Sequence, residues 1–341
     1  MNINFFILFF FILIINFFIF KYKIFLSSFL NIFDIPDQNR KIHKKPIPVI
    51  GGLIIFLNIF AILLIDFFFT QLFLNNIFSK FEFIFFLLIF LSFFLLGLYD
   101  DKKDISFIPK LIASFIFIFI FIHVNDGLVL ENLKFNTLNL SVSLKAFAFA
   151  LTLLSILLFQ NAVNMFDGSN LQVTNFFILS IIFLYVKSNY NLFFLIILIP
   201  LFFYWYLNYK NYSFLGDGGT LSISFFLSIL FIKFYKTNFI IFCDDVIVLM
   251  LLPGLDMLRL FVVRILNNKN PFLPDNNHIH HLLLSLIKNN IYVQSIITML
   301  TLLTICIYFF FGNLFISIFV IILFYLLLYF FHKKKIKDYL D

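Results

Sequence analysis

Apolar runs long enough to span a lipid bilayer recur along almost the whole chain, and they leave little choice of fold class. A spanning helix needs about 20 mainly apolar residues, because each rises about 1.5 Å across a hydrocarbon core of about 30 Å. Runs of this kind begin near Ile3, Ile50, Phe83, Phe107, Leu144, Leu171, Leu192, Leu215, Phe239, Ile291 and Leu314. They predict an all-α fold, a polytopic transmembrane helix bundle of about eleven spans. Composition agrees. Only 12% of the 341 residues are charged and 63% are hydrophobic, where a soluble domain carries about 25% charged residues. That polar surface is too small to cover a globule in water, so lipid is the solvent for most of the chain. The 59 phenylalanines read as a codon bias filling apolar slots and carry no chemistry. The run from Ile3 to Phe20 lacks a small-residue cleavage site and reads as a retained first span. Cys243 and Cys306 show no CxxC spacing, which argues against a disulfide framework or a zinc site.

Basic residues set the expected orientation. An odd number of spans puts the termini on opposite sides. With the N-terminus outside, only Lys80, Lys134, Lys145, Lys187, Lys233 and Lys236 of the 24 Lys and Arg face outward. The positive-inside rule therefore predicts an outside N-terminus and a cytoplasmic C-terminus. The net charge of +7 is a topology signal with attraction to anionic membrane lipid, and gives no reason to invoke nucleic acid.

On this topology five polar clusters fall on the cytoplasmic side, in loops 21–49, 99–106, 160–170, 208–219 and 263–290 of one membrane domain over residues 1–341. They carry Asp34 to His43, Tyr99 to Asp104, Gln160 to Gly168, Leu215 to Gly219, and Asp275 to His281. Taken singly, each has an ordinary reading: a solvated helix end for Asp100 and Asp101, a tight turn for Gly216 to Gly219, a positive-inside anchor for Arg40 and Lys41. The histidines 278, 280 and 281 have no ordinary topological purpose. Together the clusters suit phosphoryl chemistry. Asp100, Asp101, Asp167 and Asp217 offer carboxylates, and Asn161 and Asn164 offer amide oxygens, the hard donors that suit Mg²⁺ or Mn²⁺ beside substrate phosphates. Adjacent carboxylates at a membrane boundary repel each other unless a cation offsets them. Arg40, Lys41 and the histidines can meet phosphate oxygens.

In chain order these segments resemble the polyprenyl-phosphate N-acetylhexosamine-1-phosphate transferases (glycosyltransferase family 4), with the closer likeness to the undecaprenyl-phosphate N-acetylglucosamine-1-phosphate transferases. The first motif reads Asp34, Pro36, Arg40, Lys41, His43, then Pro46, Pro48, Gly51 and Gly52. The next are Gly97, Asp100 and Asp101; Asn161, Asn164, Asp167 and Gly168; Leu215, Gly216, Asp217 and Gly219; and Pro271, Phe272, Pro274, Asp275, His278, Ile279, His280 and His281. The family's second acidic residue after Asp167 is Asn170 here, and its arginine after Asp275 is Asn276.

The resemblance implies transfer of a sugar 1-phosphate from a UDP-N-acetylhexosamine to undecaprenyl phosphate at the cytoplasmic face of the inner membrane. It implies Mg²⁺, or Mn²⁺, on Asp217 with Asn164. Asp100 and Asp101 would position or deprotonate the lipid phosphate, and Asp167 would help bind the nucleotide or the metal. His278 joins the catalytic set, with Arg40, Lys41, His43, Asn161, His280 and His281 on the substrate. Two other classes stay open: a transporter or flippase, whose charges belong near the bilayer midplane on broken helices, and a catalytically silent relative, which Asn170 and Asn276 leave room for.

Overall fold

The computed structural model describes residues 3–36, 45–71, 73–272, 275 and 277–340. Arg40, Lys41 and His43 of the first motif, and Pro274 and Asn276 of the last, lie outside the described residues. The chain opens with α1 (Ile3–Lys21), α2 (Lys23–Leu30), β1 (Phe33–Asp34), β2 (Ile47–Pro48) and α3 (Gly51–Ile65). Next come α4 (Lys80–Lys103), α5 (Phe107–Val124), the strands β3 (Asn132–Phe135) and β4 (Leu140–Ser143), and α6 (Ala148–Phe166). Then follow α7 (Gln172–Lys187), α8 (Asn191–Tyr209), α9 (Gly216–Lys236), α10 (Cys243–Leu266), α11 (Ile279–Ile287), α12 (Asn290–Phe311) and α13 (Leu314–Leu340).

Every one of the eleven apolar runs coincides with a helix. Among the described residues nine helices are long and apolar enough to cross a membrane. The first run is a pair, α1 and α2, bent by 69° at the break between them, and α7 has only 16 residues. The fold is thus a polytopic helical membrane protein. Among the described residues it departs from the all-α expectation in two short antiparallel pairs, β1 with β2 and β3 with β4. The second lies in the connection between α5 and α6.

The chain forms two compact units. The first comprises residues 1–129 and 174–233. Its helix α4 starts in a capping box. Ser79 Oγ accepts from the Glu82 N–H, and Glu82 Oε2 accepts from the Ser79 N–H, which satisfies two donors that a helix start leaves orphaned. Phenylalanines fill the space between its helices: Phe56 stacks on Phe94 at 4.0 Å, and Phe225 lies 4.9 Å from Phe93. At two points there is room only for glycine. A Cβ on Gly52 would meet the Gly219 nitrogen at 2.3 Å, and one on Gly97 would meet the Asp217 carbonyl oxygen at 2.3 Å. Glycine allows this close approach because there is no side chain to hold two backbones apart. Asp66 stays buried in its apolar surroundings because Phe73 N, Leu74 N and the Thr70 hydroxyl all donate to it.

The second unit comprises residues 130–173 and 234–341. Helix α10 packs on α6, α12 and α13. Its first turn carries Asp244 and Asp245, as a positive helix start favours. Asp244 accepts from the Asn136 and Thr137 N–H groups of the β3–β4 turn, and Asp245 from the Tyr308 hydroxyl. The segment expected as a long cytoplasmic loop, 263–290, contains helix α11, with Ile279, His280, Leu282 and Leu283 buried.

Candidate active site

In the first unit three motifs come together around the start of α9. The chain leaves β2 and hydrogen-bonds to the segment before α9: Phe214 N donates to Pro48 O, Gly51 N to Phe214 O and Gly52 N to Leu215 O, at 2.8 to 2.9 Å. This joins the Pro46–Gly52 motif to the Leu215–Gly219 motif. Gly216 has φ +74, and a Cβ there would strike Val49 and Asp101, so the left-handed turn needs glycine.

Asp101, at the end of α4, closes the start of α9. Its Oδ1 accepts from the Asp217 N–H at 2.7 Å and its Oδ2 from the Gly218 N–H at 3.1 Å, the role a carboxylate takes at a helix N-terminus. Asp100 is buried on the same helix end. Its Oδ1 accepts from the Ile105 N–H at 2.7 Å, past the left-handed Asp104 that reverses the chain into α5. Its Oδ2 accepts from Lys110 Nζ, and so does Asp217 Oδ2, each at 2.5 Å. Two carboxylate oxygens from two helices therefore aim at one cation, supplied here by the α5 ammonium group.

That convergence is the donor chemistry a hard divalent cation takes, so Asp100 and Asp217 fit such an ion. No group of three His, Cys, Asp or Glu side chains suited to a metal occurs among the described residues. Lys110 is the member that sequence reasoning counted only as a basic topology residue. Its signal was a lone lysine in the first turn of an apolar run, ten residues after the paired aspartates.

In the second unit two further motifs meet. Helix α6 ends at Phe166, and the turn that follows carries Asp167 and Gly168. A Cβ on Gly168 would lie 1.8 Å from His280 Cε1. The Asp-Gly turn thus seats the ring of the central histidine. The turn is tied to α12 as well: Gln294 Nε2 donates to Ser169 Oγ at 2.5 Å, and Asn290 Nδ2 to Asn170 O at 3.4 Å. Asn161 lies one turn before the end of α6, its Nδ2 bonded to Leu157 O at 2.7 Å. Asn164 and Asp167 are both half-buried in this stretch.

The histidines lie at the start of α11. His280 is 1% exposed, with ring neighbours His281 at 4.2 Å and His278 at 5.6 Å. Among the described residues neither of its ring nitrogens has a hydrogen-bond partner. Burial, then the neighbouring His281 and His278, push its pKa well below the usual histidine value, against an opposing pull from Asp256. Asp275 anchors the approach to α11. Partial burial works to raise its carboxyl, but Arg264 Nε at 2.8 Å and the Asn277 N–H at 2.9 Å hold it down to about 2.

The sequence reasoning missed Asp256 of α10 and counted Arg259 only as a basic topology residue. Asp256 is buried and touches His278, and Arg259 donates to it and to the Asn277 carbonyl.

These features define a helical membrane protein with polar centres built at helix ends. The family model for glycosyl transferase family 4 matches residues 83–235, the stretch that contains Asp100, Asp101, Lys110, Asn161, Asp167 and Asp217. The chain is also 27% identical over 256 residues to a probable undecaprenyl-phosphate N-acetylglucosaminyl 1-phosphate transferase of Bacillus subtilis (strain 168), covering 73% of this chain and 68% of that protein. Over residues 83–235 the chain is thus similar to glycosyl transferase family 4.

Proposed function

We propose that this protein transfers an N-acetylhexosamine 1-phosphate, in the first instance N-acetylglucosamine 1-phosphate, from its UDP-sugar to undecaprenyl phosphate, the initiating step of a cell-envelope glycan. The observation that carries this reading is the convergence of Asp100 and Asp217 on one cationic position, within the region that matches the family. In the reaction an oxygen of the lipid phosphate attacks the sugar-linked phosphorus. The bond from that phosphorus to the bridging oxygen breaks, and UMP leaves with the bridging oxygen and its electron pair.

Asp100 and Lys110 set the charge at the carboxylate centre, and Asp101 keeps the Asp217 backbone in place. Asp217 and Asp100 would hold Mg²⁺ or Mn²⁺. The bound ion would supply neutralisation of charge on the diphosphate. Asp167 and Asn161 serve nucleotide binding. His278, His280, His281, Arg40, Lys41 and His43 serve the phosphates. The working side is the cytoplasmic face of the inner membrane, where a water-soluble nucleotide sugar meets a lipid phosphate.

The test is UMP release by the purified protein in lipid, across a panel of UDP-hexosamines, with and without undecaprenyl phosphate and Mg²⁺. Release that requires the lipid phosphate supports the reading. UMP absent with every sugar, from folded protein, refutes it.

A further inference from the structure

Helix α10 hides a carboxylate within an apolar run, and an unusual number of donors surround it. Asp256 is 2% exposed. Its Oδ1 accepts from Arg259 Nη2 at 2.7 Å, the Tyr325 hydroxyl at 2.9 Å and the Ile279 N–H at 3.3 Å. Its Oδ2 faces His278 Nδ1 at 3.1 Å. These groups come from α10 itself, the start of α11 and the middle of α13. Arg259 adds a second restraint by donating to the Asn277 carbonyl at 2.6 Å, one residue before His278, and to the Tyr329 hydroxyl.

A buried carboxylate is costly unless its oxygens are satisfied. Here three donors already satisfy Oδ1. Oδ2 is left to accept, and a histidine nitrogen that meets an ionised carboxylate carries its proton there.

We propose that Asp256 is a positioning residue for His278. It holds the proton on Nδ1 and fixes the ring angle, so that Nε2 is the nitrogen His278 presents to substrate. The catalytic consequence rests on the transferase reading above, whereas the tautomer does not. Asparagine at 256 must turn its oxygen toward the three Oδ1 donors. Its NH₂ then faces Nδ1, which becomes an acceptor, and the ring proton moves to Nε2.

The experiment uses the full-length protein in lipid nanodiscs with ¹⁵N-labelled histidine, the His278 signals being assigned by their loss in His278→Gln. Wild type and Tyr325→Phe are expected to show His278 with a protonated Nδ1, and Asp256→Asn to show the Nε2–H tautomer. Wild-type His278 protonated on Nε2 alone overturns the proposal, and this arm holds even if Asp256→Asn fails to fold. In the UMP-release assay Asp256→Asn is expected to lower kcat about 100-fold with KM for the nucleotide sugar within about threefold. Adding it to His278→Gln is expected to cost nothing more. Equal losses in the two backgrounds would mean that Asp256 does not act through His278. A wild type with the expected tautomer and no UMP release would count against the transferase reading alone.

Discussion

Replacing Gly168 by alanine is a steric test of how two motifs meet, and its size follows from the geometry. The new Cβ would sit 1.8 Å from His280 Cε1 and 2.3 Å from Nε2, where ordinary contact begins at 3.4 Å. The ring, or the turn, has to retreat by about 1.6 Å. The ring has little space to retreat into, since it is 1% exposed and lies between His278 and His281. Overpacking of this kind costs about 1–3 kcal/mol, and a displacement on the order of 1 Å at a working group costs about 100-fold in rate. Thermal unfolding and UMP release would be measured for Gly168→Ala, His280→Ala and the double variant. Gly168→Ala is expected to lose about 1–3 kcal/mol alone and less than about 0.5 kcal/mol once the ring is gone, the excess being their coupling. An equal loss in both backgrounds, or none in either, would refute the idea that Gly168 exists to seat His280.

Other substitutions probe the rest of the account. Gly97→Ala brings a Cβ within 2.4 Å of backbone atoms of Asp217 and Gly218. It is expected to destabilise by about 3 kcal/mol or more, because backbone cannot swing aside as a ring can; a melting temperature like that of the wild type would contradict it. Lys110→Met leaves the Asp100 and Asp217 oxygens converging without their ammonium partner. Mg²⁺ is expected to raise the melting temperature of this variant more than that of the wild type, and no difference between them would argue against a divalent cation at these oxygens. His280 is neutral in the folded state because its pKa is depressed, chiefly by burial. The unfolded chain takes up a proton below about pH 6.5, so stability is complete above that value and falls as the pH drops from 7 to 5. His280→Phe should flatten this decline in a pH series of melting curves, and a decline of the same depth in the variant would reverse the assignment.

The helical membrane architecture could be read from hydropathy because lipid demands long, internally hydrogen-bonded apolar helices, and every apolar run became one. The glycines of the motifs were legible for a similar reason. Gly52, Gly97 and Gly216 stand where backbones or carboxylates come too close for any side chain.

What the sequence concealed was partnership. Lys110 looked like one more basic residue at a helix start, and only the fold brings it to Asp100 and Asp217. Asp256 and Arg259 interrupt an apolar run without any motif around them, and their meaning lies in Tyr325 and His278, 69 and 22 residues away. Nor does the sequence show that Asp101 accepts from the Asp217 and Gly218 N–H groups at the first turn of α9. Helix α11 was hidden for a different reason. Nine residues are too few to register as a span, and its burial comes from contacts with α12 and α13 that no local pattern announces.

Sugar 1-phosphate transfer requires that the phosphate adjoining the sugar travels with it. A UDP-N-acetylhexosamine carrying ³²P in its β-phosphate would be incubated with the protein, undecaprenyl phosphate and Mg²⁺ and the products partitioned between solvent and water. Sugar 1-phosphate transfer predicts label in the lipid phase, matched one for one by UMP in water. Label left in water as UDP while the sugar enters the lipid phase would mean plain glycosyl transfer, and would contradict the account.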